Sequence, residues 1–250
     1  MTTEKDMRIT ISKNAEELGS EAAKAISEQL NRAVKKNGEA RMVVSTGSSQ
    51  FEMFQSLGRE NIDWSRVEVF HLDEYIGLPI THIASFRKYL YERFINFVPV
   101  KKFHGVDVES DISQTIQNLT SEIRKKPVDL GLIGIGVNGH IAFNDPPADF
   151  DTREAYIEVK LDDQCKMQQV SEGWFKTITD VPDRALSMSV WQIMQCKSII
   201  SIVPHQVKAD AVFKTFTSKL TNMVPATMLK QHNDFHLFLD QNSASGIIAF

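Results

Sequence analysis

The chain has 250 residues, 42% of them apolar and 24% charged, with a formal charge of −4. This balance is ordinary for a soluble globular protein and excludes collagen-like, coiled-coil and disordered classes; a chain of this length buries roughly 70–75% of its unfolded surface without help from disulfides or structural metal. The mild acidity offers no electrostatic footprint for a nucleic acid or an anionic membrane, so neither is expected as a partner.

Residues 8–12 (RITIS) read as an opening strand, and 15–36 as a helix with Leu18, Ala22, Ala25, Ile26, Leu30 and Val34 at helical spacing and Asn37-Gly38 as its stop. A second strand is expected at 41–45, then the small-residue loop Thr46 to Ser49 and a helix over 50–57. Residues 67–72 read as a third strand ending in Asp73-Glu74-Tyr75. Helices follow at 85–97 and 112–125, with a short strand at 102–104 between them. The near-continuous apolar run 128–135 (VDLGLIGI) has the character of a central strand buried on both faces. Pro146-Pro147 and the acidic cluster 145–154 exclude regular helix there. Strands are expected at 156–159, 198–203 and 235–239, with a helix at 207–216.

Short β-branched runs alternating with amphipathic stretches signal an α/β fold: a mainly parallel sheet with helices on both faces, Rossmann-like in its three layers. No repeat, low-complexity segment or linker divides the chain, so 1–250 is expected to form one domain, with 145–180 as a lid excursion in which Met167, Trp174 and Phe175 pack a helix. Cys165 and Cys196 make no CxxC and have no His at zinc-ligand spacing, so reduced thiols and no metal centre are expected. The opening residues lack the apolar region of a secretory signal, and the longest apolar runs fall far short of the roughly 18–20 residues of a membrane span. A cytoplasmic location is the expectation.

Ligands of open parallel sheets bind outside the carboxyl ends of the strands, and four such ends are unusually polar here. In Ser45-Thr46-Gly47-Ser48-Ser49, glycine lets backbone approach an anion while hydroxyls and helix-start N–H groups donate to it; phosphate binding is one reading of this loop, and an ordinary capped turn, which has the same pattern, is the other. Walker-type nucleotide binding is excluded by the absent Gly-Lys-Ser/Thr ending. Gly134, Gly136 and Gly139 match GxGxxG, but prolines at 146 and 147 forbid the helix a dinucleotide site requires. The same glycines allow a close turn presenting His140, oriented by Asn138 and Asp145, as a group that takes and returns a proton near neutrality. Asp73 and Glu74 end a buried strand, where desolvation raises a carboxylate toward the range of a general base. Lys208, just after a strand end, can meet a phosphate as a point charge.

Taken in order, STGSS, LDEYIGLP (72–79), GIGVNGHIAFNDPP (134–147) and VPDRALSMSV (181–190) resemble the glucosamine-6-phosphate deaminase/isomerase family along essentially the whole chain. The resemblance implies an α/β core, a small sugar phosphate as partner, no metal or organic cofactor, and conversion of an amino-sugar 6-phosphate into a ketose 6-phosphate and ammonia. It leaves a homo-oligomer open. It further implies that Asp73 moves the C2 proton to C1, that His140 serves ring opening with Asn138 and Asp145 beside it, and that Ser45 to Ser49, Glu74, Gly136 and Lys208 bind substrate. Two departures stand out: Asn138 replaces the family's usual aspartate before Gly-His, and Asp145 its glutamate, shortening the reach by roughly one C–C bond, about 1.5 Å. Arg153 and Lys166 are candidates for the phosphate-binding cation expected near 160–176. Asn138, the segment 161–169 (LDDQCKMQQ) and the ending 224–240 are similar to the galactosamine-6-phosphate isomerase branch.

Two other functions compete. The 6-phosphogluconolactonases share the fold and the phosphate loop, but after Gly-His they carry Thr-Ala-Ser-Leu-Phe-Pro where this chain has Ile-Ala-Phe-Asn-Asp-Pro. A non-catalytic sugar-phosphate sensor would accommodate the neutral Asn138 and the short Asp145, but both Asp73 and His140 are present.

Overall fold

The computed structural model describes residues 6–247. Its strands are β1 (Asp6–Ser12), β2 (Ala40–Val44), β3 (Val67–His71), β4 (Asp73–Tyr75), β5 (Lys102–His104), β6 (Leu130–Leu132), β7 (Tyr156–Lys160), β8 (Arg184–Met188), β9 (Ser198–Val203) and β10 (Asp234–Asp240). The helices are α1 (Ala15–Asn37), α2 (Phe51–Leu57), α3 (Phe86–Arg93), α4 (Ile112–Arg124), α5 (Asp163–Ser171), α6 (Val190–Ile193) and α7 (Ala209–Thr217). Seven strands pair in parallel in the order β1-β10-β9-β6-β2-β3-β5. Chain progression runs outward from β2 through β3 to β5, and outward from β6 through β9 to β10, so the direction of winding switches between β2 and β6.

Strand periodicity supplies two cores. On β2, Val43 faces one side while Met42 and Val44 face the other; on β9, Ile199 and Val203 oppose Ile200 and Ile202. One face is covered by α1, α2 and α3, the other by α4, α6 and α7. In α1, Asn14 caps the start by accepting the Glu17 N–H at 2.9 Å, and the Gly38 N–H returns to Val34 O at the end. Leu18, Ile26 and Leu30 are fully buried. Each contributes roughly 1.5–3 kcal/mol, more than the charges at the helix ends at about 0.3–1 kcal/mol, so packing decides where this helix lies. Among the described residues no helix is long and apolar enough to cross a membrane.

The expected α/β fold is present, with one substantive departure. Residues 67–75 are not a single strand: the chain leaves the parallel sheet at Leu72, and β4 pairs antiparallel with β8, which pairs antiparallel with β7. This three-stranded sheet has its own small core of Tyr75, Phe143, Cys165, Phe175 and neighbours. It was hidden because β4 is only three residues long and two of them are carboxylates, and because Arg184 and Ser187 interrupt the apolar alternation of β8. The helix expected over 85–97 ends at Arg93, where Phe94 leaves helical geometry (φ −143°, ψ −63°) and a single 3-10 turn follows. Of 128–135, only Leu130–Leu132 is laddered strand.

Candidate active site

The switch between β2 and β6 opens onto a cleft of about 760 Å³, and all four polar strand ends contribute to its lining. After β2, Ser45 is buried, its N–H bonded to Leu132 O at 3.0 Å, while its Oγ has no partner among the described residues. Gly47, at φ +107°, takes a conformation that side chains with a Cβ rarely adopt and turns the chain into the 3-10 turn Ser48–Gln50 and then α2. Tyr89 on α3 donates its hydroxyl to Gly47 O at 2.9 Å, fixing the loop's outer edge. Lys208 ends a 3-10 turn after β9 and is 7% exposed. Its ammonium has no ion-pair partner among the described residues, and it is the one Lys or Arg in the described lining. Burial pushes its pKa down, partly offset by the negative charge of Glu172.

Asp73 starts β4 and lines the same cleft at 5% exposure, with no hydrogen bond to its carboxylate among the described residues. Burial, and secondarily the neighbouring charge of Glu74, push its pKa well above the ordinary carboxylate value.

His140 is held by a tight turn. The Gly136 N–H donates to His140 O at 2.9 Å, the Gly139 N–H to Gly136 O at 3.0 Å, and the His140 N–H to Asn138 Oδ1 at 3.0 Å. Asn138 Nδ2 in turn donates to Asp145 Oδ1 at 3.1 Å, so the neutral side chain acts as a bracket between histidine backbone and carboxylate. His140 Nδ1 lies 2.8 Å from Asp145 Oδ1, so the short aspartate reaches the ring; next to it Asn144 Nδ2 donates to Ile141 O at 2.8 Å and Met188 O at 2.9 Å and ties down the turn that carries the carboxylate. Burial pushes the Asp145 pKa up, but His140 and Asn138 outweigh it and hold the carboxyl below its usual range. Gly136 is required for a second reason: a Cβ there would stand 2.2 Å from His140 Nε2, inside the ring's own volume.

Other expected site residues are placed differently. Glu74 does not face the cleft; its carboxylate accepts from Tyr75 N–H, Ser85 Oγ, Phe86 N–H and Arg87 N–H and anchors the start of α3. Gly136 lines the cleft, but its N–H is consumed by His140 O. Arg153 donates to carbonyls of its own loop and Lys166 pairs with Asp183, so neither reaches the cleft. The glycines 134–139 open no helix. Phe175 packs in the small core as expected, whereas Met167 is exposed and Trp174 lines the cleft. Sequence reasoning missed Gln168, Gln169 and Glu172, which border the cleft from α5 and the turn after it; Gln168 accepts from Val137 N–H at 3.4 Å and so touches the histidine turn. The two uncharged amides on a weakly amphipathic helix carry no chemical signature beyond their place in the segment LDDQCKMQQ, and a lone glutamate after the helix reads as a surface charge.

A family model described as glucosamine-6-phosphate isomerases/6-phosphogluconolactonase matches residues 13–238. The chain belongs to this family. Within it, the glucosamine-6-phosphate deaminase of Thermoanaerobacter sp. (strain X514) is 31% identical over 247 residues, spanning 96% of this chain and 94% of its own. That of Clostridium novyi (strain NT) is 33% identical over 248 residues, spanning 96% and 99%. Among solved structures, a monomeric glucosamine-6-phosphate deaminase matches with a TM-score of 0.86 at 26% identity, over 96% of this chain and 100% of that one. A 6-phosphogluconolactonase from Thermotoga maritima matches with a TM-score of 0.78 at 13% identity over 94% and 100%, a likeness of fold alone.

Proposed function

We propose that this family member converts an amino-sugar 6-phosphate and water into a ketose 6-phosphate and ammonia. The observation that carries the reading is the unbonded, buried Asp73 carboxylate in the same cleft as the imidazole of His140, whose Nδ1 lies 2.8 Å from Asp145 Oδ1, the Ser45–Ser49 loop and the buried Lys208. Lys208 and the loop hydroxyls bind the phosphate dianion, which leaves the sugar ring toward Asp73 and His140. His140 opens the ring by taking the proton of the C1 hydroxyl and returning one to the ring oxygen, a task suited to an imidazole, whose nitrogens can both accept and donate a proton. Asp73 then removes the C2 proton and delivers it to C1; the resulting C2 imine is hydrolysed by water to the ketone, releasing ammonia. A base with a raised pKa is matched to removing a weakly acidic carbon-bound proton.

The reading covers both C4 epimers, since that carbon takes no part in the reaction. The names of the relatives support glucosamine 6-phosphate; the segments 161–169 and 224–240, with Asn138, support galactosamine 6-phosphate. The test is an ammonia-release assay with glucosamine 6-phosphate, galactosamine 6-phosphate and 6-phosphogluconolactone. Ammonia and ketose from an amino sugar are expected. Lactone hydrolysis without ammonia release would overturn the reading, and so would tight amino-sugar phosphate binding without turnover.

A further inference from the structure

One cluster of metal-ligating atoms joins two residues of that chemistry to a cysteine that the chemistry does not use. His140 Nδ1, an Asp145 carboxylate oxygen and Cys165 Sγ all lie within 4.8 Å of one another. They come from two separate segments, the histidine turn and the first turn of α5, which is why cysteine spacing along the chain gave no hint of them. From this geometry we propose that the three side chains form a binding site for a zinc-like divalent cation, and that the bound ion inhibits the enzyme by withdrawing His140 and Asp145 from ring opening.

Buried donor atoms without an aligned partner are the first support. His140 Nδ1 and Asp145 Oδ1 are 2.8 Å apart, yet Nδ1 makes no aligned hydrogen bond, and neither does the other carboxylate oxygen, Asp145 Oδ2; both atoms are buried. The size of the site is the second. Zinc bonds of roughly 2.0–2.3 Å to N, O and S place tetrahedral ligands about 3.3–3.8 Å apart, so small side-chain shifts close the set. The third is the mixture of nitrogen, oxygen and sulfur, which suits zinc and disfavours magnesium or calcium, whose ligands are oxygens. The site is also preorganised. Asn138 holds Asp145, the missing Cβ of Gly136 seats the imidazole, and the Cys165 N–H is bonded to Asp162 Oδ1 at 2.6 Å. On binding, the Cys165 thiol gives up its proton to solvent as the sulfur–metal bond forms. Three protein ligands leave a fourth position for water.

The test uses the full chain after chelator treatment, with Co²⁺ and Zn²⁺ salts as probes. Co²⁺ is expected to bind once per chain with the intense thiolate-to-cobalt absorption of a sulfur ligand and the visible bands of a tetrahedral site, and Zn²⁺ is expected to displace it. The thiolate band is assigned to Cys165 because, of the two buried cysteines, it is the one beside His140 and Asp145. Cys165→Ser should abolish the band and weaken Zn²⁺ inhibition by at least about tenfold, the smallest loss seen even for an outer-shell partner, relative to its own metal-free rate. Cobalt binding without a thiolate band, no binding at all, or equal inhibition of wild type and Cys165→Ser would each overturn the site. The spectroscopic arm is independent of the amino-sugar reading, so its failure and the failure of that reading are separable.

Discussion

Asp73 and Glu74 are neighbours on β4, both buried, and pointed to opposite sides of the strand. On one side Glu74 accepts four hydrogen bonds at 2.8–3.1 Å and lies 3.5 Å from Arg87 Nε. Burial raises its pKa, and those bonds pull it back. On the other side Asp73 has the same burial and none of the bonds, and its pKa rises much further. Burial sets the cost of a charge; hydrogen bonding decides whether that charge is used to hold the fold or kept for chemistry. Glu74 organises α3, and through Tyr89 the Ser45–Ser49 loop, while the Asp73 carboxylate is left without a hydrogen bond among the described residues.

The sharpest way to break this comparison is Asp73→Asn. Proton exchange at C2, followed in D2O, should fall by about 10²–10⁴-fold, the usual range for losing a general base, with KM nearly unchanged. The folded pKa of Asp73 lies above its unfolded value, so its stabilising effect is complete at acid pH and is lost as pH rises through the folded pKa. At neutral pH the amide should therefore raise Tm, by about 2–4 °C if the gain is about 1 kcal/mol. Asp73→Asn that is less stable than wild type would show that the carboxylate is structural after all.

Glu74→Ala should do the opposite, losing about 3–5 kcal/mol in denaturant unfolding because the Ser85 hydroxyl and the N–H groups at the start of α3 lose their buried acceptor, while Arg87 keeps only Asp107 and Glu109 as counter-charges among the described residues. Unchanged stability would erase the distinction between the two faces. Lys208→Ala should raise KM by about 10–100-fold, corresponding to about 1.5–3 kcal/mol for a charged hydrogen bond, with kcat within a few-fold. Equal losses in kcat and kcat/KM would move Lys208 from phosphate binding to the reacting carbons.

The smallest effect sharpens the comparison from an intermediate case. His71, two residues before Asp73, accepts a single long bond from Val106 N–H at 3.4 Å, and burial, with Arg87 secondary, lowers its pKa from 6.5 to about 3. A depressed folded pKa means stability present above about pH 6.5 and lost as pH falls toward 3. His71→Gln should flatten that slope in urea unfolding followed from pH 7 to 4; an identical slope would assign acid sensitivity elsewhere.

Much of the parallel sheet was legible because its strands are long apolar runs and its helices carry a strong 3.6-residue period, as in α1. The small antiparallel sheet was not, since β4 reads as DEY and its pairing partners lie more than 80 residues away. The polar strand ends converge on one cleft because parallel strands all point the same way. What remained hidden was side-chain direction within an end: Asp73 and Glu74 look equivalent in sequence, and only α3, folding back onto one of them, separates their roles. Lys166 likewise looked available as a phosphate ligand until Asp183 was found beside it.

At position 136 the determining feature is a hole. The imidazole of His140 occupies the space that any side chain there would fill, so the ring is located by a mould cast in backbone rather than by contacts alone. A mould of this kind transmits change in one direction: alteration at 136 would appear in every assay as a histidine defect, although the histidine itself is intact. The freedom of that position to drift in sequence is therefore set by the volume of a neighbour four residues away.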